Sequence, residues 1–165
     1  MSYPEKRTIV SIITGVLILG AYILYAFGKY QAGLTTAGDL KFWAGTMLVF
    51  IGIGIVANII IQIVFHILLS ISIAVVEKVK DINFDEKLIE KSLENEMVSD
   101  EMDKLIELKS MRVSFIVAGV GFMLALVSMI LNDSAVLMIN ILFVSFSVGS
   151  LIEGVSTLYF YRHGV

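Results

Sequence analysis

FWAGTMLVFIGIGIVANIIIQIVFHILLSISIAVV, residues 42–76, is a run of 35 positions without a single Asp, Glu, Lys or Arg. At 1.5 Å per residue a helix over that run is about 52 Å long, whereas ~20 residues cross ~30 Å of hydrocarbon. Two crossings do not fit, because a turn would have to lie inside the run and no proline or polar cluster is there to make it. The pattern predicts one long helix, tilted or extending several turns beyond the bilayer.

The same reading extends outward in both directions. Residues 8–27 are apolar apart from Ser11, Thr14 and two tyrosines, and form a first span. Lys6 and Arg7 precede them as in a signal peptide, but the apolar run is long and no small-x-small cleavage site follows, so a retained helix is expected. Residues 113–131 and 136–161 form the third and fourth spans, joined by the tight polar stretch Asn132-Asp133-Ser134. Composition agrees: 58% of the 165 residues are hydrophobic and 16% charged, and the mean hydropathy is +0.91, too apolar for a soluble domain of this length. The expected fold is an all-α membrane protein, a four-transmembrane-helix bundle forming a single membrane domain over residues 1–165.

Charge gives the orientation. Lys6, Arg7, seven Lys and Arg in residues 77–112, and Arg162 make ten basic residues on one side, against Lys29 and Lys41 on the other. The positive-inside bias places both termini in the cytoplasm of a cell-membrane protein. Tyr25, Tyr30, Phe42 and Trp43 then lie at the outer boundary and Tyr159 and Tyr161 at the inner one, where amphipathic rings prefer the headgroups.

Residues 77–112 are expected to form a cytoplasmic helical hairpin. They carry eleven acidic and seven basic residues, with apolar positions Ile89, Leu93 and Met97, then Met102, Leu105, Ile106 and the stem of Lys109, at helical spacing. Asp85 and Ser99 are candidate caps, and the second helix should run unbroken into the third span, since neither Gly nor Pro intervenes. A stripe this shallow usually packs against a neighbour, here the projecting end of the second span or a second subunit; the segment reads as a solvated helical hairpin with local ion pairs around Glu86, Glu90 and Lys91, or as a docking site for a cytosolic partner.

Within the spans, polar residues fall into a track. Asn58, Gln62, His66 and Ser70 recur every fourth position on an otherwise aliphatic helix, and Ser147, Ser150, Glu153 and Thr157 do much the same in the fourth span. Glu153 is the one acid inside a span. A carboxylate there costs ~3 kcal/mol or more unless it is protonated, paired or facing water, so contact with His66, Gln62 or Asn58 is expected. Interhelical hydrogen bonding that fixes register competes with a proton or cation path through Glu153 and His66. One His and one Glu are too few for a metal site, and no cofactor is implied. Aligning Gly54 with Gly149 sets Asn58 over Glu153, Gln62 over Thr157 and Phe65 over Phe160, while Gly15-Val16 falls over Gly119-Val120 with nearly the same offset. This suggests two duplicated hairpins related by an axis along the membrane normal, with Gly52, Gly54 and Gly149 permitting close backbone approach at that axis or serving as a dimer contact.

Asp100-Glu101-Met102-Asp103-Lys104-Leu105-Ile106-Glu107-Leu108-Lys109, followed by Arg112 and a span, resembles the D-E-R-D-x-x-I-E-x-[KR] segment of the DUF2178-like family of small prokaryotic four-span membrane proteins. Glu153 with the closing Tyr161-Arg162-His163-Gly164-Val165 is similar to that family's last helix, which carries a Glu and ends in Y-R-R-G. The likeness covers most of the chain. It implies a four-span fold and an inner-surface motif of Asp100, Glu101, Asp103, Glu107, Lys109 and Arg112 with Tyr161 and Arg162, but no activity to carry over; a regulatory partnership is the most it suggests. Met102 and His163 depart from the pattern, standing where the family tends to have Arg, which would weaken any anion site or ion pairing there.

Function classes narrow accordingly. There is no cysteine, no Ser-His-Asp set, no H-E-x-x-H and no phosphate-cradling glycine loop, so enzymatic chemistry is not expected. A net charge of -3, with the acids concentrated in one loop, argues against nucleic acid. The leading expectation is a non-enzymatic binding or regulatory membrane protein acting as a homo-oligomer or with a cytosolic or membrane partner. The alternative is a small proton or cation channel or transporter using Glu153 and His66, which in so narrow a bundle would need oligomerisation.

Overall fold

The computed structural model describes residues 3–80 and 101–164 of the chain. These form four helices: α1 (Tyr3–Gln31), α2 (Leu40–Lys80), α3 (Glu101–Asn132) and α4 (Ala135–His163). Each is long and apolar enough to cross a bilayer. Among the described residues no strand occurs.

Residues 40–80 are one helix without a break, and α3 passes without interruption from Asp103, Glu107 and Arg112 into the apolar run that ends at Asn132. The helix ends use local chemistry. α1 closes with Gly33 at φ +69°; the Leu34 N–H reaches Lys29 O at 3.1 Å and the Gly33 N–H reaches Tyr30 O at 3.1 Å, a paired closure that a left-handed glycine permits. Asp39 then caps α2, its carboxylate accepting from the Phe42 N–H at 3.1 Å. The α3–α4 turn consists of Asp133, at φ +47°, and Ser134, whose side chain accepts from the Leu137 N–H at 3.2 Å.

The helices are not equivalent in their packing. α4 is central: it packs extensively on α3, meets α1 along a shorter seam and touches α2, while α3 packs on α4 alone among the described residues. The α3–α4 seam follows from small side chains. The buried residues of α3 within the described structure include Ser110, Ala118, Gly121, Ala125 and Ser128, whose helical spacing puts them on one face. A methyl group on Gly121 would overlap Ser145, and one on Gly149 would stand 3.2 Å from Ser114 O. In lipid, where apolar burial gives helices no preference for each other over acyl chains, such close approach supplies the van der Waals attraction. α1 meets α4 in the same manner, Gly15 against Leu151 and Gly154 against Ile12.

Gly149 lies against α3, where an added Cβ would stand 3.2 Å from Ser114 O, whereas a Cβ on Gly52 would meet nothing within 4 Å and one on Gly54 only Ile18 at 3.9 Å; the expected dimer contact through these glycines is untouched by this. In the stripe on the charged segment, Met102 and Leu105 are exposed and Ile106 alone is buried, because the phase that carries Ile106 and Ser110 is turned to α4. The expectations for Asp85, Glu86, Ile89, Glu90, Lys91, Leu93, Met97, Ser99 and Asp100 lie outside the described residues.

At the end holding the α1–α2 loop and the α3–α4 turn, a compact core joins three helices. Tyr22, Ala26, Trp43, Met47 and Val136 are buried there, with Phe42, Phe50, Ile139 and Phe143 packed against them. Tyr22 is 2% exposed; its ring lies 4.4 Å from that of Phe143 and its hydroxyl donates to Asn140 Oδ1 at 2.7 Å. At the opposite end, which holds both termini, two polar contacts tie the helices: Tyr161 Oη donates to Asp103 Oδ1 at 2.8 Å, and Arg162 lies 3.7 Å from Glu5.

Candidate functional site: a polar groove in the helix bundle

Below the aromatic core the helices separate and leave a groove of about 1070 Å³. It runs along α1 from Pro4 to Leu19, α2 from Met47 to His66 and α4 from Phe143 to Tyr161, with Asp103, Ile106 and Glu107 of α3 at the terminal end. α2 and α3 do not pack on each other among the described residues, so the groove has an open side between them, and Asn58, Gln62 and His66 are all exposed. Its other limit is closed: Met47, Phe50 and Phe143 line it and also belong to the core around Tyr22. The groove is therefore blind at the loop end.

All five residues of the expected intramembrane track, Asn58, Gln62, His66, Glu153 and Thr157, line this one groove. Helical periodicity brings them there: four-residue steps keep Asn58, Gln62 and His66 on one slowly drifting line, and Glu153 and Thr157 on another. Ser70 has no described side chain.

Among the described residues no hydrogen bond or ion pair joins the Glu153 side chain to Asn58, Gln62 or His66. Asn58 instead donates to Gly54 O at 3.1 Å and accepts at Oδ1 from Ser11 Oγ at 3.3 Å. Its short side chain is satisfied by its own helix and by α1 before it can span to α4. Thr157 Oγ1 donates to the Glu153 carbonyl oxygen at 2.9 Å, and Ser147 Oγ to Phe143 O at 2.8 Å, so those hydroxyls also turn back on their helix. The half-buried Glu153 carboxylate has no hydrogen bond or ion pair among the described residues.

Of the terminal motif, Asp103, Glu107 and Tyr161 line the groove, whereas Glu101, Lys109, Arg112 and Arg162 are exposed and do not. Three carboxylates, Asp103, Glu107 and Glu153, thus face the groove against one guanidinium, Arg7. His163 stacks on Tyr159 with ring centroids 4.4 Å apart, away from the groove. No group of three or more His, Asp or Glu able to hold a metal ion occurs among the described residues.

The contribution of α1 is the part that sequence reasoning missed. Arg7, Thr8, Ser11 and Thr14 supply a polar wall facing α2 and α4. The signal was present as polar residues recurring at three- and four-residue steps, but it is diluted among the apolar residues of the span and lacks an amide or acid to draw attention. Compared with family models, curated proteins and solved structures, the chain shows no match.

Proposed function

We propose that the chain is a multipass protein of the cell membrane, with both termini cytoplasmic, that acts by binding and has no enzymatic activity. It works as a homo-oligomer or with a protein partner, in a regulatory capacity. The blind polar groove is the observation that carries this reading. A binding site needs a walled space with a few convergent polar groups; a conduction path needs continuity, and the core of Tyr22, Phe50, Phe143 and Trp43 stands across the way. α2 has no buried residue in its most apolar stretch, which leaves a long face for lipid or for a second copy. The acid-rich segment of residues 77–112 is the natural attachment for a cytosolic partner, as a helical hairpin between α2 and α3. Asn58 and Glu153, which the internal alignment superposes, share the groove, in keeping with duplicated hairpins that have since diverged in packing. The resemblance to the DUF2178-like family belongs to the same proposal.

A transporter is the second reading, favoured by the unpartnered Glu153 carboxylate inside a span. Proton and monovalent-cation flux in proteoliposomes separates the two. The binding reading expects no flux above protein-free vesicles from either the unaltered chain or Glu153→Gln at equal reconstitution. Flux that Glu153→Gln abolishes would replace it with transport.

A further inference from the structure

The groove is amphipathic along its length. Toward the blind end its lining is apolar and aromatic, with Met47, Phe50, Phe143 and Phe146; toward the terminal end it carries Glu153, Asp103 and Glu107. A carboxylate in a span without a partner is costly, and a cation beside it recovers much of that cost. Three carboxylates against one guanidinium make the groove's field negative among the described residues, which disfavours an anion. The rings of Phe50, Phe143 and Phe146 offer apolar area for the body of such a ligand. The volume of about 1070 Å³ is just above the ~300–1,000 Å³ typical of small-molecule sites. The open side between α2 and α3 gives such a molecule a way in at the depth of the spans.

We propose that the groove binds an amphipathic organic cation, with its charged group beside Glu153 and an apolar, preferably aromatic, body against Phe50, Phe143 and Phe146. Phe146 and Phe143 precede Glu153 by seven and ten positions on α4, about 10 and 15 Å along the helix axis, which sets the length of ligand that fits. The proposal rests on the binding reading above and names its ligand class. The two fail separately: flux in vesicles overturns the binding reading whatever the ligand, whereas failure of cation binding without flux overturns only the ligand class.

The test uses tetraphenylphosphonium with the purified full chain in neutral detergent, by equilibrium dialysis, and tetraphenylborate as a probe of nearly the same shape and opposite charge. The expected result is saturable phosphonium binding that tetraphenylborate does not compete for. Glu153→Gln should weaken binding by at least about ten-fold, Phe146→Ala by a smaller factor, and Ile130→Ala, on the exposed outer face of α3, should leave it unchanged. Absence of saturable binding, equal competition by the borate, or Glu153→Gln affinity within two-fold of the unaltered chain each overturns the proposal. Should Glu153→Gln fail to fold, the two-probe comparison on the unaltered chain and the Phe146→Ala result decide it.

Discussion

At the scale of single residues, the decisive groups are polar side chains inside apolar helices, and the structure divides them into satisfied and unsatisfied. Tyr22 and Asn140 satisfy each other across α1 and α4 at 2.7 Å, while Asn140 Nδ2 also donates to Val136 O at 2.9 Å. Tyr22→Phe leaves the half-buried Asn140 Oδ1 without its donor and should cost about 0.6–1.5 kcal/mol, read as a lowered thermal midpoint in detergent; an unchanged midpoint would show that the aromatic packing alone closes the groove. Glu153 was legible in the sequence because an acid within a span stands out against its surroundings. Its lack of a partner was not, since whether Asn58 turns to α4 or back to Gly54 and Ser11 depends on interhelical distance, which periodicity does not encode. The Asp39 cap on α2 was equally hidden, lying in a loop whose polar residues all look alike until the helix start is known.

At the scale of helices, hydropathy and length identified the spans, because a bilayer imposes the same requirement on every crossing. What it left open was which helix packs on which, a choice made by small residues whose hydropathy is unremarkable. Ser114, Ala118, Gly121 and Gly149 decide that α3 belongs to α4, yet a Cβ added at Gly119, two positions from Gly121, would meet nothing within 4 Å. The contrast makes a paired prediction. Gly121→Val forces Cβ and Cγ atoms into Ser145 and should destabilise the α3–α4 seam by about 1–3 kcal/mol, whereas Gly119→Val, facing open space, should not lower stability. Thermal unfolding of the two variants in the same detergent checks it, and equal losses would mean that valine itself, not the contact, is responsible.

At the scale of the whole molecule, the positive-inside count predicts both termini on the cytoplasmic face, and the absence of cysteine makes single introduced thiols clean reporters. Lys41→Cys should react with a membrane-impermeant maleimide on intact cells, while Lys6→Cys and His163→Cys should react only after permeabilisation; the reverse pattern would invert the topology and put the groove's acidic end outside. The bundle's open shape, with α3 attached through α4, was not legible beforehand, because four spans can be arranged in many ways with the same hydropathy. That attachment gives the molecule a mechanical character. Among the described residues α3 packs on α4 alone, along a face of small buried residues that includes the Gly121–Ser145 and Gly149–Ser114 contacts. The far side of α4 carries Ser147, Glu153 and Thr157 into the groove. A force arriving along α3 therefore has one rigid rod to act on, and the stiffness of a seam made of glycine and serine determines how much of that displacement is delivered to Glu153.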